Sequence, residues 1–288
     1  MSDAAKGFWV LVLSCVVWGL SGIYYKALSG VAPLEVLAHR TLWSMVFIGL
    51  VQLAKGRLAL TAQLLGSRLV LRVFAAAAVI SANWFGFIWA VHNGHAIEAS
   101  FGYYIFPLLM VLLGRAAFGE TMTRAQWLAV GIAAVGVAVL GVGLGVTPWI
   151  SLGLAVTFGT YGLFKKRLSV GSATSVLSET ILLAPFALGV LWYYHGEPGV
   201  HFGDDLKSSA MLAFAGVMTG GPLMMFSYAA QRVRMATVGL VQYLNPTLQF
   251  AAASLVFLEP VTTWHVAALV LIWLAIALYT AVTLRFRR

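Results

Sequence analysis

Trp18-Gly19-Leu20-Ser21-Gly22-Ile23-Tyr24-Tyr25-Lys26-Ala27-Leu28 returns 140 positions later as Phe158-Gly159-Thr160-Tyr161-Gly162-Leu163-Phe164-Lys165-Lys166-Arg167-Leu168. Both glycines, a lysine and the closing leucine coincide. At the same offset Val36-Leu37 meets Val176-Leu177, and His39 meets Glu179. Further along each half, Tyr104 and Pro107 match Tyr243 and Pro246, and an acid follows each proline by 13 residues, Glu120 and Glu259. An ordered series of this kind marks a duplicated unit, 1–145 followed by 146–288.

The material between these landmarks is apolar. Of the residues, 61% are hydrophobic and 9% charged, with a mean hydropathy of +0.92; soluble domains carry roughly 25% charged residues. Ten segments have the length needed to cross a bilayer: 8–28, 34–54, 70–91, 97–117, 124–144, 148–166, 173–193, 209–230, 236–257 and 263–284. Their apolar runs are near-continuous rather than alternating, which argues against a β-barrel. The first is too long for a signal-peptide core and has no convincing cleavage site, so it is read as a retained helix. Five spans per half is odd, and the second half must enter the membrane from the opposite side. The expectation is an all-α membrane protein of ten transmembrane helices in two inverted five-helix repeats. That arrangement lets a central site face alternately in and out. A symmetric channel or receptor is the competing use of a duplication.

Charge placement orients the chain. With the N-terminus inside, the cytoplasmic set is Lys6, Lys55, Arg57, Arg68, Arg72, Arg115, Arg124, Lys165, Lys166, Arg167, Arg232, Arg234, Arg285, Arg287 and Arg288, 15 of the 18 basic residues. Both termini are therefore expected in the cytoplasm. Basic residues scattered between apolar segments make no patch for nucleic acid. The outer loop 194–208, with Glu197, Asp204 and Asp205, is expected to be a solvated face without ligand geometry. Cys15, the single cysteine, excludes an intramolecular disulfide or a cysteine-based metal cluster.

Ionisable groups inside the hydrocarbon should face the bundle interior or a wet cavity. His39, Arg40 and Glu179 qualify. One reading is a polar site in which Arg40 binds an anionic or zwitterionic group and His39 or Glu179 carries a proton. The other has Arg40 snorkelling outward and the remaining two closing a structural hydrogen-bond network. Asn83, Trp84, Phe87, Trp89, His92, Glu98 and Tyr103 form a dense polar and aromatic stretch, answered by Tyr228, Gln231, Gln242, Tyr243 and Asn245. Trp9, Trp149, Trp192 and Tyr193 read instead as belt or packing residues. Pro107 and Pro246 fall inside helices and are expected to kink them, as candidates for gating. Glu120 and Glu259 read as helix-end or hinge residues. Gly131, Gly136, Gly141 and Gly145 make a close-packing face that serves internal packing or a homodimer. His92, His95 and Glu98 match no strong zinc spacing, and no metal is expected. Without a placed serine or cysteine nucleophile, an intramembrane enzyme is disfavoured.

The stretches Trp18-Gly19, Glu35-x-x-x-His39-Arg40-x-x-Trp43, Asn83-Trp84-x-x-Phe87-x-Trp89-Ala90-Val91, Glu98-Ala99-Ser100-x-Gly102-Tyr103 with Pro107, Gly119-Glu120, Gln126-Trp127, Tyr161-Gly162, Glu179 and Gln242-Tyr243 with Pro246-Thr247 carry a resemblance. The chain resembles the RarD proteins of the EamA branch of the drug/metabolite transporter superfamily over essentially its full length. The resemblance implies a bacterial inner-membrane carrier with a central cavity shared by the two repeats. It implies a small solute, such as a drug, amino acid or related metabolite, moved by alternating access and often outward. The cavity residues expected are Trp18, His39, Arg40, Trp43, Asn83, Trp84, Phe87, Tyr103, Tyr161, Glu179, Tyr243 and Asn245. Phe106 departs from the pattern, in which a relative tends to have asparagine before the proline. The expected partners are the solute, membrane lipids and protons, with no cofactor; an uncoupled facilitator or channel is the alternative.

Overall fold

Backbone in hydrocarbon finds no water to bond, so long apolar runs satisfy their N–H and C=O groups within one helix. The computed structural model follows that rule. It describes residues 2–146, 148–197, 199, 201–256, 258 and 261–285, without the side chains of Val91, His92, Leu284 and Arg285. Glu259, Arg287, Arg288 and the side chains of His92 and Arg285, all given roles above, lie outside the described residues.

The helices are α1 (Asp3–Lys26), α2 (Pro33–Ala54), α3 (Leu58–Leu65), α4 (Val70–His92), α5 (Ala96–Phe118), α6 (Arg124–Gly143), α7 (Pro148–Arg167), α8 (Ser172–Tyr194), α9 (Leu206–Arg232), α10 (Met235–Gln242), α11 (Leu244–Leu255) and α12 (Thr263–Arg285). Local chemistry sets several ends. Ser2 accepts the Ala5 N–H at 3.2 Å, and Pro33 opens α2 where no N–H is needed. Thr123 and Gln126 form a reciprocal capping box at α6. Gly119, at φ 61°, closes α5 in the left-handed region.

Among the described residues, eight helices are long and apolar enough to cross a membrane. Neither α7 nor the pair α10 and α11 is among them. Three basic residues lower the mean hydropathy of α7, and the expected span 236–257 is divided at Tyr243. Pro246 is the cause: it offers no N–H to the Gln242 carbonyl, one turn back. Pro107 leaves α5 unbroken. The short α3, with no counterpart among the expected spans, bridges α2 and α4.

The chain forms two compact units, Met1–Ala82 with Phe164–Arg232, and Asn83–Leu163 with Val233–Arg288. In the first, α2 packs on α8 and α9, and α1 on α9. Gly216 permits the α2–α9 approach, since a Cβ there would lie 2.5 Å from Ser44 N and nearer still to the Trp43 carbonyl carbon. Ser44 Oγ donates to the Gly216 carbonyl at 2.9 Å, Ser14 Oγ to that of Pro222 at 3.0 Å, and Gln52 Nε2 to Thr174 Oγ1 at 2.8 Å. In the second unit α12 packs on α6 and α10 on α5, around Phe101, Val111, Leu140, Tyr243 and Ile272. Gly136 of α6 sits against Ala268 and Leu271 of α12, and Gly141 against the Phe101 ring. These two glycines therefore serve internal packing, close contact replacing the missing hydrophobic drive. Trp9, Trp149, Trp192 and Tyr193 are 60–83% exposed, as residues of a lipid-facing rim should be.

Candidate solute-binding site

In the second unit, Asn83 and Phe87 of α4, Ala99, Gly102, Tyr103 and Phe106 of α5, and Leu154 and Phe158 of α7 line one small cleft. Gly102 lets α5 and α7 close on each other, since a Cβ would lie 3.1 Å from the Ser151 carbonyl oxygen. Ser151 Oγ fastens the same contact by donating to the Glu98 carbonyl at 2.5 Å. Asn83 spends both amide hydrogens on α7, on the Leu154 carbonyl and Thr157 Oγ1, each at 2.8 Å. Its carbonyl oxygen is the acceptor it can offer a guest. Aromatic rings supply the rest: Phe87 and Tyr103 lie 5.9 Å apart, Phe106 and Phe158 4.7 Å, and Phe158 and Tyr161 6.1 Å with nearly parallel planes. The room left for the centre of a water-sized sphere is about 10 Å³. That admits about one water and no larger solute, so a guest requires Phe106, Phe158 or their helices to move.

Three of the expected residues, Asn83, Phe87 and Tyr103, line this cleft. Tyr161 is fully buried behind Phe158, and Trp84 is half-buried on the same helix as Asn83. Tyr243 is fully buried in the core of its unit with no partner for its hydroxyl among the described residues, and Asn245 accepts from Gln249 Nε2 at 2.9 Å. Phe106 and Phe158 were not among the expected cavity residues. A signal for Phe158 existed, because the repeat aligns it with Trp18.

The first unit gathers three polar clusters. Arg40 Nε donates to Thr219 Oγ1 at 2.7 Å and its guanidinium lies 5.0 Å from the Tyr25 ring centre, while Tyr25 Oη lies 3.2 Å from Thr219 Oγ1. Arg40 is thus held inside the unit by α1 and α9 rather than snorkelling outward. His39 Nε2 lies 3.9 Å from Glu35 Oε1, and the rings of His39 and Trp43 face Phe202. Glu179 pairs with Lys165, and Ser175 Oγ lies 2.6 Å from Lys165 Nζ and 3.0 Å from Glu179 Oε1. Lys165, expected on the cytoplasmic side, is fully buried, with its ammonium drawn inward by the Glu179 carboxylate. A buried carboxylate without such a cation would carry a large desolvation cost. Trp18 completes the expected set, half-buried with its ring 6.0 Å from Phe226.

The loop before α9 reaches back to α2. Its acids are exposed, but His201 Nδ1 lies 2.9 Å from Glu35 Oε2 and Nε2 2.6 Å from the Glu197 carbonyl. The Glu197 carbonyl first, and then the Glu35 carboxylate, hold the His201 imidazole above its ordinary pKa. Glu120 anchors the start of α10, where its two oxygens accept the Met235 and Ala236 N–H groups at 2.8 and 3.1 Å. His95 Nδ1 lies 3.3 Å from Glu98 Oε1, and the described residues hold no His, Cys, Asp or Glu cluster fit for a metal.

Eight long apolar helices, with buried polar side chains tied to one another inside each unit, define a multi-spanning all-α membrane protein. The chain belongs to the EamA-like transporter family, whose model matches residues 5–142 and again 147–281. It is 41% identical over 274 residues to Protein RarD of Streptomyces exfoliatus, covering 94% of this chain and 87% of that one. It is 38% identical to the uncharacterized transporter YojE of Bacillus subtilis, covering 100% and 97%, and 35% identical to Protein RarD of Escherichia coli K12, covering 95% and 93%. A crystal structure of a protein 19% identical superposes with a TM-score of 0.78, over 96% of this chain and 98% of the other, and shares the fold. The chain is accordingly a small-solute transporter of the drug/metabolite superfamily and not an enzyme.

Proposed function

We propose that this protein is a secondary active transporter that exports a drug, amino acid or related metabolite across the bacterial inner membrane by alternating access. The sequence halves 1–145 and 146–288 serve as inverted repeats of five spans each. Two spans beyond the eight long helices complete the ten. One is α7; the other is α10 with α11, whose 8 and 12 residues together reach roughly 30 Å, the thickness of the hydrocarbon layer. Both termini lie in the cytoplasm, as the basic residues ask.

The observation that carries the reading is the narrow aromatic cleft around Asn83 in the second unit. It has the composition of a solute site, apolar walls with a few placed polar groups. Asn83, Phe87, Tyr103 and Phe106 are the solute contacts of this cleft, and Arg40, His39, Trp43 and Trp18 are a separate set of candidate contacts within the first unit. A helix broken at Tyr243 beside Pro246 is the kind of element that transporters use at such sites. Pro107 and Pro246 act as the flexing points. One observation favours the second reading, an uncoupled facilitator. Glu179 already holds the Lys165 ammonium, so a proton gains that site only if Lys165 leaves it.

The test is binding. Solutes that raise the unfolding temperature of the purified protein identify a ligand, and its affinity is then measured in R40A and N83A. Both variants should insert normally and lose binding. Unchanged affinity in both would remove these residues from the site.

A further inference from the structure

The loop between α8 and α9 reaches back over α2 at a defined point. His201 bonds to Glu35 and to the Glu197 carbonyl. Asp204 Oδ2 accepts the His201 backbone N–H at 2.7 Å and fixes the turn that carries it. The next residue, Phe202, stacks on His39 with 5.1 Å between centroids and 25° between planes, and its ring lies 5.8 Å from that of Trp43. Glu35 is 3% exposed. A buried carboxylate on a membrane helix is thus the anchor for an exposed loop, and the loop's aromatic residue covers two residues of the proposed solute site.

Both ring nitrogens of His201 face acceptors. A neutral imidazole has one N–H and meets the second acceptor with a lone pair, whereas the imidazolium donates to both. The titratable groups acting on it are Glu35 from α2 and Asp204 from its own loop, and His39 of α2 lies 3.9 Å from the other oxygen of Glu35. Lys207, at the start of α9, acts on Asp205 instead. Carboxylates outnumber cations around the ring, and the charged state is the one that fits.

We propose that His201 and Phe202 form a pH-sensitive cover over the His39–Trp43 face of α2, latched to Glu35 while His201 carries its proton and released when that proton is lost. The functional consequence rests on the reading of His39 and Trp43 as solute-site residues. Because folding raises the His201 pKa, the latch is complete at acid pH and weakens as pH rises through that elevated value. Acidification on the side of this loop therefore shuts the approach to that part of the site.

The test measures access to position 43 in the full-length protein in nanodiscs, where reagent reaches both faces and neither orientation nor transport is assumed. Cys15 is replaced by alanine, and Trp43→Cys is labelled with a water-soluble maleimide. Lys55→Cys, at the exposed end of α2, corrects for the thiol's own pH dependence. The Trp43 change leaves in place the His39 ring on which Phe202 stacks. From about pH 5.5 to about pH 8.5, where histidine titrates, the rate ratio of the two sites should rise several-fold. In His201→Gln it should be high throughout. In His201→Arg, which stays charged, it should stay low throughout. A ratio independent of pH with His201 in place would overturn the cover. So would a rise that persists in His201→Arg, because the titrating group would then be His39. A failure here leaves the binding test of R40A and N83A untouched, and the two readings fall separately.

Discussion

Gly216 and Gly189 are both helical glycines of the first unit, and they should respond oppositely to the same substitution. An alanine favours helix over glycine by up to about 1 kcal/mol at either position. At Gly189 the new methyl group meets nothing within 4 Å, so G189A should be neutral or stabilising. At Gly216 the Cβ would lie 2.5 Å from Ser44 N and closer still to the Trp43 carbonyl carbon. Those are backbone atoms of α2, which no rotamer change can move aside. Overpacking typically costs about 1–3 kcal/mol, and here the upper end applies because a helix must shift. The hydrogen bond from Ser44 Oγ to the Gly216 carbonyl stretches with it, which offsets the gain in propensity. A net loss of about 3 kcal/mol follows, which lowers the unfolding temperature by roughly 6–12 °C at about 2–4 °C per kcal/mol. Cys15 is fully buried and provides the assay, since a thiol-reactive fluorophore reports its exposure on heating in detergent. An unfolding temperature for G216A equal to or above that of G189A would refute the close α2–α9 approach.

The other predictions use the same assay. K165M leaves Glu179 buried without its cation and should cost about 3–5 kcal/mol, while K165M with E179M should recover most of the loss; a double variant as weak as K165M would contradict the pairing. T123A removes one arm of the capping box of α6 and should cost about 1 kcal/mol, and an unchanged unfolding temperature would show that the box contributes nothing. E120Q sets an amide N–H₂ against the Met235 or Ala236 N–H and should cost about 1–3 kcal/mol, whereas a wild-type unfolding temperature would mean that the start of α10 is held by other contacts.

Helix positions were legible wherever an apolar run was long and uninterrupted. The span expected at 34–54 is α2, Pro33–Ala54, and that expected at 124–144 is α6, Arg124–Gly143. Such runs have one low-energy solution in lipid, so hydropathy alone finds them. The break at Tyr243 was only half legible: Pro246 announced a kink, but the sequence does not say that α10 and α11 separate where Pro107 leaves α5 whole. The eight residues of α3 are too few to establish a helical period. Side-chain partners were the least legible. Arg40 meets Thr219 at a separation of 179 residues and His201 meets Glu35 at 166, and those pairs depend on which helices pack rather than on any local pattern. Lys165 sat in a run of three cations and looked like its neighbours; only the proximity of Glu179 distinguishes it.

Coupled movement of a small solute is the central proposal, and uptake into proteoliposomes tests it most directly. Purified protein is reconstituted and offered amino acids, small metabolites and chloramphenicol, each with and without an imposed proton gradient. At least one solute should accumulate above equilibrium, and only when the gradient is present. Solute that merely equilibrates, at the same rate with and without the gradient, would contradict active transport and establish the facilitator instead.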